Sequence, residues 1–151
     1  MNIYLGADHR GFYLKEQVFG YLAKHHYEVQ DVGNEELDPS DDYPEFAQIA
    51  ALKIIGDSSK DPTGILLCGD GQGMAITANR FRGIRAIVAW DANEARIARR
   101  DLDANILCVP ARLLEDQDDG VWQGIIETWL ATPYSGAARH SRRISQIDEV
   151  R

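Results

Sequence analysis

The segment 68–73 combines a thiol with a glycine-rich turn, and this combination has the potential for chemistry. Its sequence, CGDGQG, follows an apolar run and precedes a segment with helical spacing. Gly69, Gly71 and Gly73 let backbone N–H groups point at an anion, and the positive end of the following helix dipole adds to this. A thiol that faces such groups should have a lowered pKa, so Cys68 is predicted to act as a thiolate base or nucleophile. An ordinary strand-to-helix turn with an unreactive buried thiol remains the alternative.

The spacing of these glycines differs from that of a dinucleotide-binding fingerprint. Such a fingerprint needs G-x-G-x-x-G after the first strand and an acidic residue about 20 positions later. Here G-x-G-x-G follows the third apolar run. A flavodoxin-like, nucleotide-binding module is therefore poorly supported.

Asp8 and His9 directly follow the first apolar run of the chain. A carboxylate beside an imidazole can move a proton to or from a sugar hydroxyl, and an imidazole can also hold an anion. The other histidines, His25, His26 and His140, show no metal-ligand spacing with Cys, Asp or Glu. We therefore expect no metal site.

The alternation of apolar runs and helical spacing predicts the elements that position these residues. Strands are predicted at 2–7, 27–32, 64–68, 84–89 and 105–110. Helices are predicted at 12–25, 43–55, 74–80, 91–100 and 115–131, and the basic segment 140–150 could form a last helix. This order is typical of the α/β class: a five-stranded parallel sheet in a three-layer, Rossmann-like α/β/α sandwich, here with a C-terminal helix.

Sheets of this kind bind ligands beyond the carboxyl ends of their strands, where the strand order reverses. The loops of interest are therefore 7–11, 32–43, 67–73, 89–92 and 109–112. Two of them carry Asp8, His9 and the glycine loop, so we expect these groups to lie close together.

Composition limits the partners of the chain. It has 151 residues, 16 Lys and Arg against 24 Asp and Glu, and a net charge of -8, which fits a single domain over residues 1–151. This charge argues against general binding to nucleic acid or to an acidic membrane. We see no apolar run of about 20 residues and expect no signal peptide, so the thiols Cys68 and Cys108 suggest a cytoplasmic protein.

Arginines are nevertheless concentrated in two segments. Six lie between residues 80 and 100, and the tail contains Arg139, Arg142, Arg143 and Arg151. Charge runs are usually solvated faces, but a few converging guanidinium groups also suit a small anionic ligand.

Several motifs, in order, resemble the type B ribose-5-phosphate isomerase family, which also includes the galactose-6-phosphate isomerase subunits. They are GADHRGFYLK at 6–15, DYPEFA at 42–47, GILLCGDGQGMAITAN at 64–79, GIRA at 83–86 and AARHSRRI at 137–144. The resemblance covers nearly the whole chain. It implies a five-stranded α/β/α sandwich that forms homodimers, sometimes paired into tetramers, and interconverts aldose and ketose phosphates through a cis-enediolate without metal or cofactor.

The resemblance also implies roles for single residues. Cys68 would be the base that moves a proton between C1 and C2 of the sugar, and the amides of Gly69–Gly73 would hold the enediolate oxygens. Asp8 would contact sugar hydroxyls and assist ring opening, and Tyr43 would line the pocket. The positions that would bind phosphate are His9, Arg112, Arg139 and Arg143. The two tail arginines would reach in from a partner subunit.

Two sites depart from the family pattern. Asp101 and Leu102 stand where the family has its ring-opening His and an Asn, and Asp70 stands where the glycine loop usually has Thr or Ser. An anion at Asp70 would disfavour both a thiolate and an enediolate. Asp70 could instead be the base itself, be protonated, or point at Arg99 or Arg100.

We therefore expect an isomerase acting on a sugar phosphate, with ribose 5-phosphate and ribulose 5-phosphate as the first pair to test. Asp101 would serve ring opening, or the substrate would be an open-chain sugar that needs none. The alternative is a non-catalytic or altered-specificity paralogue that only binds sugar phosphates.

Overall fold

The computed structural model, which describes residues 1–149, contains five strands and seven helices. The strands are β1 (Asn2–Ala7), β2 (Glu28–Asp31), β3 (Thr63–Cys68), β4 (Ala86–Val88) and β5 (Ile106–Pro110). The helices are α1 (Phe12–Lys24), α2 (Tyr43–Gly56), α3 (Gln72–Ala78), α4 (Ala92–Leu102), α5 (Ala111–Leu114), α6 (Asp119–Ala131) and α7 (Ala138–Asp148). The strands form one all-parallel sheet in the order β2-β1-β3-β5-β4.

Helices cover both faces of this sheet, which confirms the predicted three-layer α/β/α sandwich. One face packs against α1, α4, α5 and α6, and the other against α2 and α3. The central strands β1, β3 and β5 are buried almost throughout, as their continuous apolar sequences require. Alternate residues of β3 face opposite layers: Leu67 packs on the α1 side, whereas Cys68 packs on the α2–α3 side.

Several element boundaries differ from those predicted, each with a local cause. The strand predicted at 84–89 is shortened to β4 because Ile84 N–H closes a turn onto Phe81 O. The helix predicted from residue 115 begins at Asp119, since Asp118 caps it by accepting a hydrogen bond from Gly120 N–H. The preceding residues form α5, a short helix that the sequence pattern did not predict.

The C-terminal helix α7 packs against α4 and has only His140 fully buried among its described residues. It begins two residues before the predicted start, and residue 150, where the predicted helix ends, lies outside the described residues. Within residues 1–149, no helix is long and apolar enough to cross a membrane.

The strand order reverses beside β1, and there the loops after β1 and β3 come into contact. The chain leaves β1 for β2 on one side of the sheet and returns to β3 on the other. Asp8 N–H donates to Leu67 O over 3.2 Å, and a Cβ on Gly11 would overlap with that same carbonyl. Arg112 N–H in α5 donates to Gly69 O over 3.0 Å, which brings the end of β5 to the same edge.

Candidate active site

Cys68 ends β3 and is almost completely buried. Its Sγ accepts a hydrogen bond from Gly71 N–H over 3.2 Å. Burial raises the pKa of the Cys68 thiol and the Asp8 carboxylate raises it further, whereas the Gly71 N–H opposes them. The predicted lowering of this pKa is therefore wrong, because desolvation outweighs the amide contact. Cys108 is the fully buried core thiol that we expected.

The glycine loop is shaped by two close approaches. Gly71 adopts a φ of +74°, and a Cβ there would lie 3.0 Å from the Val88 side chain. A Cβ on Gly73 would lie 2.5 Å from the Tyr43 ring, so this ring packs directly over the loop. Tyr43, at the start of α2, is 40% exposed.

Asp8 lies at the carboxyl end of β1 and is 5% exposed. Its Oδ1 accepts hydrogen bonds from the N–H groups of Arg10 (2.9 Å) and Gly11 (3.1 Å). Burial raises the pKa of Asp8, and these two N–H groups only partly offset that effect. Asp8 therefore combines a fixed orientation with an increased tendency to carry a proton, so it could exchange protons with a neighbouring group.

His9 is oriented by Asp41, a residue that the sequence did not single out. Asp41 Oδ1 accepts from His9 N–H over 2.9 Å and lies 2.7 Å from His9 Nδ1. The only signal in the sequence was the acidic character of the loop 34–42, which does not show which carboxylate meets the imidazole. The pair places a partly exposed imidazole beside the loop that carries Asp8.

Arg112 extends over the glycine loop and pairs with Asp70. The guanidinium Nη2 lies 3.4 Å from Asp70 Oδ1, and a Cβ on Gly69 would lie 3.2 Å from the same nitrogen. Both side chains of the pair are more than half exposed. The alternative in which Asp70 points at Arg99 or Arg100 is wrong, because those guanidinium groups bind other carboxylates.

A second cluster joins the end of α4 to α7. Asp101 Oδ1 and Oδ2 accept from Arg100 over 2.6 and 3.0 Å, and this contact holds the pKa of Asp101 below its usual range. His140 Nδ1 lies 3.7 Å from Asp101 Oδ1 and 2.7 Å from Ser135 Oγ. Arg139 Nε donates to His140 Nε2 over 3.0 Å. Arg143 is exposed one turn further along α7.

The predicted site residues thus form two groups within one chain. The first, at the carboxyl ends of the strands, consists of Asp8, His9, Tyr43, Cys68, Gly69, Asp70, Gly71, Gly73 and Arg112. The second consists of Asp101, Arg139 and Arg143 on α4 and α7, and the described contacts link it to the tail rather than to Cys68. Across residues 1–149, no group of three or more His, Cys, Asp or Glu side chains is arranged to hold a metal ion.

Comparison with known protein families gives a match over residues 3–147 to the family described as ribose/galactose isomerase. A protein of Mycolicibacterium paratuberculosis named ribose-5-phosphate isomerase B is 36% identical over 99% of this chain and 91% of its own length. The protein of the same name from Escherichia coli K12 is 34% identical over 98% of this chain and 95% of its own length.

Solved structures show the same relationship. A ribose 5-phosphate isomerase from Thermotoga maritima superposes with a TM-score of 0.91 and 44% identity, covering 99% of this chain and 98% of that one. Ribose-5-phosphate isomerase B from Mycoplasma genitalium, solved with bound ribulose-5-phosphate, gives a TM-score of 0.90 and 35% identity. Its alignment covers 97% of this chain and 93% of that one.

Proposed function

This chain belongs to the ribose/galactose isomerase family, and from that premise we propose that it interconverts an aldose phosphate and a ketose phosphate. The names of its relatives support ribose 5-phosphate and ribulose 5-phosphate as the substrate pair. The observation that carries the proposal is the meeting of Cys68, Asp8 and the glycine loop at the point where the strand order reverses.

The proposed proton transfer uses the Cys68 thiolate. It removes the proton from C2 of the aldose, the C–H electrons form a C1–C2 double bond, and negative charge moves to O1. Backbone N–H groups of Gly69–Gly73 stabilise the enediolate oxygens. The thiol then returns the proton to C1, while the O2 proton passes to O1 and C2 becomes the carbonyl carbon. The reaction is an internal redox exchange, so it needs no outside oxidant or reductant.

Asp8 supports the proposed chemistry as the group that contacts the sugar hydroxyls and assists ring opening. Burial raises the pKa of Asp8, which increases the tendency of this carboxyl group to carry a proton for exchange with a hydroxyl. Asp101 stays a carboxylate bound to Arg100, which supports either a modified ring-opening step or an open-chain substrate.

Phosphate recognition in this proposal uses His9 and Arg112 of one subunit and Arg139 and Arg143 of its partner. Guanidinium groups grip phosphate oxygens in a bidentate fork. Two features support a homodimer with shared sites: α7 holds its arginines outward, and α2 and α3 expose an apolar surface. The side chains of that surface are Ile49, Leu52, Ile55 and Ile76.

A Cys68→Ala variant tests the proposed base. Removing a general base typically slows a reaction by about 10²–10⁴-fold, so we expect turnover of ribose 5-phosphate to fall by that amount while phosphate affinity persists. A panel of pentose and hexose phosphates, assayed for aldose–ketose conversion, provides the measurement. Cys108→Ala is the matched control, because this thiol is buried in the core. Unchanged turnover of every sugar phosphate in Cys68→Ala would contradict the thiolate role.

A sugar-phosphate-binding paralogue without turnover is the second candidate. The observation that favours it is the carboxylate of Asp101, held by Arg100, at the position where the family resemblance implies a ring-opening His. The same panel distinguishes the two functions. A wild-type protein that binds sugar phosphates by calorimetry yet converts none, including open-chain analogues, is the binding paralogue.

A further inference from the structure

The loop between β2 and α2 reaches the candidate site through Asp41. No residue of this loop has a ligand-binding role in the proposal above, yet Asp41 makes two contacts with His9. Its side chain is 6% exposed, while the His9 side chain is 32% exposed. A nearly buried carboxylate therefore faces an imidazole that is open to a ligand.

We infer that Asp41 is a positioning residue that keeps a proton on His9 Nδ1 and thereby presents Nε2 to the phosphate group of the substrate. A carboxylate can only accept a hydrogen bond, so at 2.7 Å Nδ1 must be the donor. The hydrogen bond from His9 N–H to the same Oδ1 fixes the backbone as well as the ring. This inference rests on the proposed function for the identity of the ligand, not for the orientation of the ring.

Asp41 is itself held by a chain of contacts that ends in the core. Asn34 Nδ2 donates to Asp41 Oδ2 over 3.2 Å, and Asn34 O accepts from Lys15 Nζ over 2.8 Å. Lys15 is completely buried in α1, and its ammonium lies 2.5 Å from Asp31 Oδ2. A buried charge is tolerated only when it is paired and hydrogen-bonded, so Lys15 holds the Asn34 backbone in place. Asn34 in turn orients the Asp41 carboxylate, and that carboxylate orients the imidazole of His9.

The contact with Asp41 decides which ring nitrogen of His9 is available to bind phosphate. In the imidazolium, Nδ1–H donates to Asp41 and Nε2–H is left to donate to a phosphate oxygen. Among residues 1–149, the hydrogen bonds of His9 use its backbone N–H and Nδ1 only, so Nε2 is the nitrogen that can meet a ligand. Partners that orient a ligand-binding histidine typically contribute about 10–100-fold to affinity or activity in metal sites.

The test measures the ring of His9 in the unliganded protein and the affinity for inorganic phosphate. In 15N-histidine NMR spectra, at a pH where the imidazole is neutral, wild-type His9 is expected to carry its proton on Nδ1. In Asp41→Ala the proton of the neutral ring should move largely to Nε2. At a lower pH, where the imidazole is protonated and both ring nitrogens can donate, the loss of orientation should raise the Kd for phosphate roughly 10-fold. Glu36→Gln, which removes one charge from an exposed position of the same loop, should change neither quantity.

Two further variants keep the inference falsifiable. Asn34→Ala frees the Asp41 carboxylate without removing it, so both measured quantities should shift in the same direction but less, even if Asp41→Ala does not fold. The exchange Asn34→Asp with Asp41→Asn again gives Nδ1–H an oxygen acceptor and should restore the Nδ1 tautomer. An Nδ1 tautomer and a phosphate Kd that are unchanged in Asp41→Ala would overturn the inference, whether or not the protein isomerises sugars. If Asp41→Ala changes the tautomer and the phosphate Kd but the wild-type protein converts no sugar phosphate, the proposed function is wrong and the inference about Asp41 stands.

Discussion

Burial of Cys68 disfavours the thiolate form of its side chain. Desolvation and the nearby Asp8 carboxylate raise the thiol pKa, while the Gly71 N–H lowers it by a smaller amount. The reactive form of a base is the deprotonated one, so its population increases as pH rises through this pKa. If Cys68 is the base, turnover should therefore still be rising with pH above neutrality.

Removing the Asp8 charge should make the thiolate of Cys68 easier to form. In an Asp8→Asn variant one of the two effects that raise the thiol pKa is lost, so the alkylation rate should rise with pH at a lower midpoint than in wild type. Iodoacetamide labelling as a function of pH, in a Cys108→Ala background, measures this without requiring turnover. Near neutral pH we expect labelling several-fold faster than in wild type.

Glu36→Gln provides the control for the Asp8 experiment, since it removes one negative charge at an exposed position. Its labelling midpoint should match that of the wild type. An Asp8→Asn midpoint at or above the wild-type value would show that this carboxylate does not act on Cys68.

At the scale of elements, the sequence predicted the central strands better than the edges. Strands β1, β3 and β5 are continuous apolar runs because both faces are buried, and that pattern is visible without a structure. β2 is an exposed edge strand and β4 is shortened by a turn, so their composition carries less information. The short helix α5 follows directly on β5 and has no periodicity of its own.

The sequence predicted those parts of the candidate site whose position depends only on the order of strands and helices. Strand ends fixed where Asp8 and Cys68 would meet, but the pairings of Asp41 with His9 and of Asp70 with Arg112 depend on how loops fold back. A carboxylate-rich loop offers several equivalent partners in sequence, and only its folded path selects one. The direction of the Cys68 pKa was missed for a similar reason, because burial is a tertiary property.

An exposed ion pair between Asp70 and Arg112 joins the loop after β3 to helix α5. Asp70 and Arg112 bridge these two elements at 3.4 Å, and both are largely exposed. Exposed ion pairs contribute about 0–1 kcal/mol, so the carboxylate competes only weakly with a phosphate for the guanidinium group. Asp70 is then a modest obstacle to anion binding rather than a barrier.

Replacing Asp70 by Ser should therefore strengthen binding of inorganic phosphate by about 2- to 5-fold, the range that corresponds to about 0.4–1 kcal/mol. Calorimetric titration gives this Kd. Asp116→Ser, at an exposed position just after α5, controls for the loss of one negative charge. In an Arg112→Ala background the Asp70→Ser effect should disappear. An equal gain in that background would mean that Asp70 acts through the general field and not through Arg112.

At the scale of the whole molecule, a net charge of -8 is compatible with a phosphate ligand because charge is distributed unevenly along the sequence, with arginines concentrated at 80–100 and in the tail. One chain holds Arg112 at its own strand ends but keeps Arg139 and Arg143 on α7, which packs against α4. A two-fold dimer repeats every contact, so two such chains can each supply the tail for the other's site. Sharing of this kind can be tested by complementation.

Mixed dimers should recover activity that neither parent has. We pair Cys68→Ala with the double variant Arg139→Ala/Arg143→Ala, co-express the two chains with different tags, and isolate the species that carries both. If the tail arginines serve the partner's site, one of the two sites in this dimer contains an intact Cys68 and intact arginines. Turnover should then reach about half of the wild-type value per dimer.

The matched control pairs Cys68→Ala with Asp8→Asn, whose defects lie at the strand ends of the same chain. In that mixed dimer each site keeps one defect, so activity should stay at the level of the parents whichever way the tails reach. If the arginine mixture stays equally inactive, Arg139 and Arg143 act within their own chain. If no doubly tagged species forms, the dimer itself is absent. Recovery in the arginine mixture alone therefore requires both a dimer and an exchange of tails, because neither property by itself rebuilds an intact site.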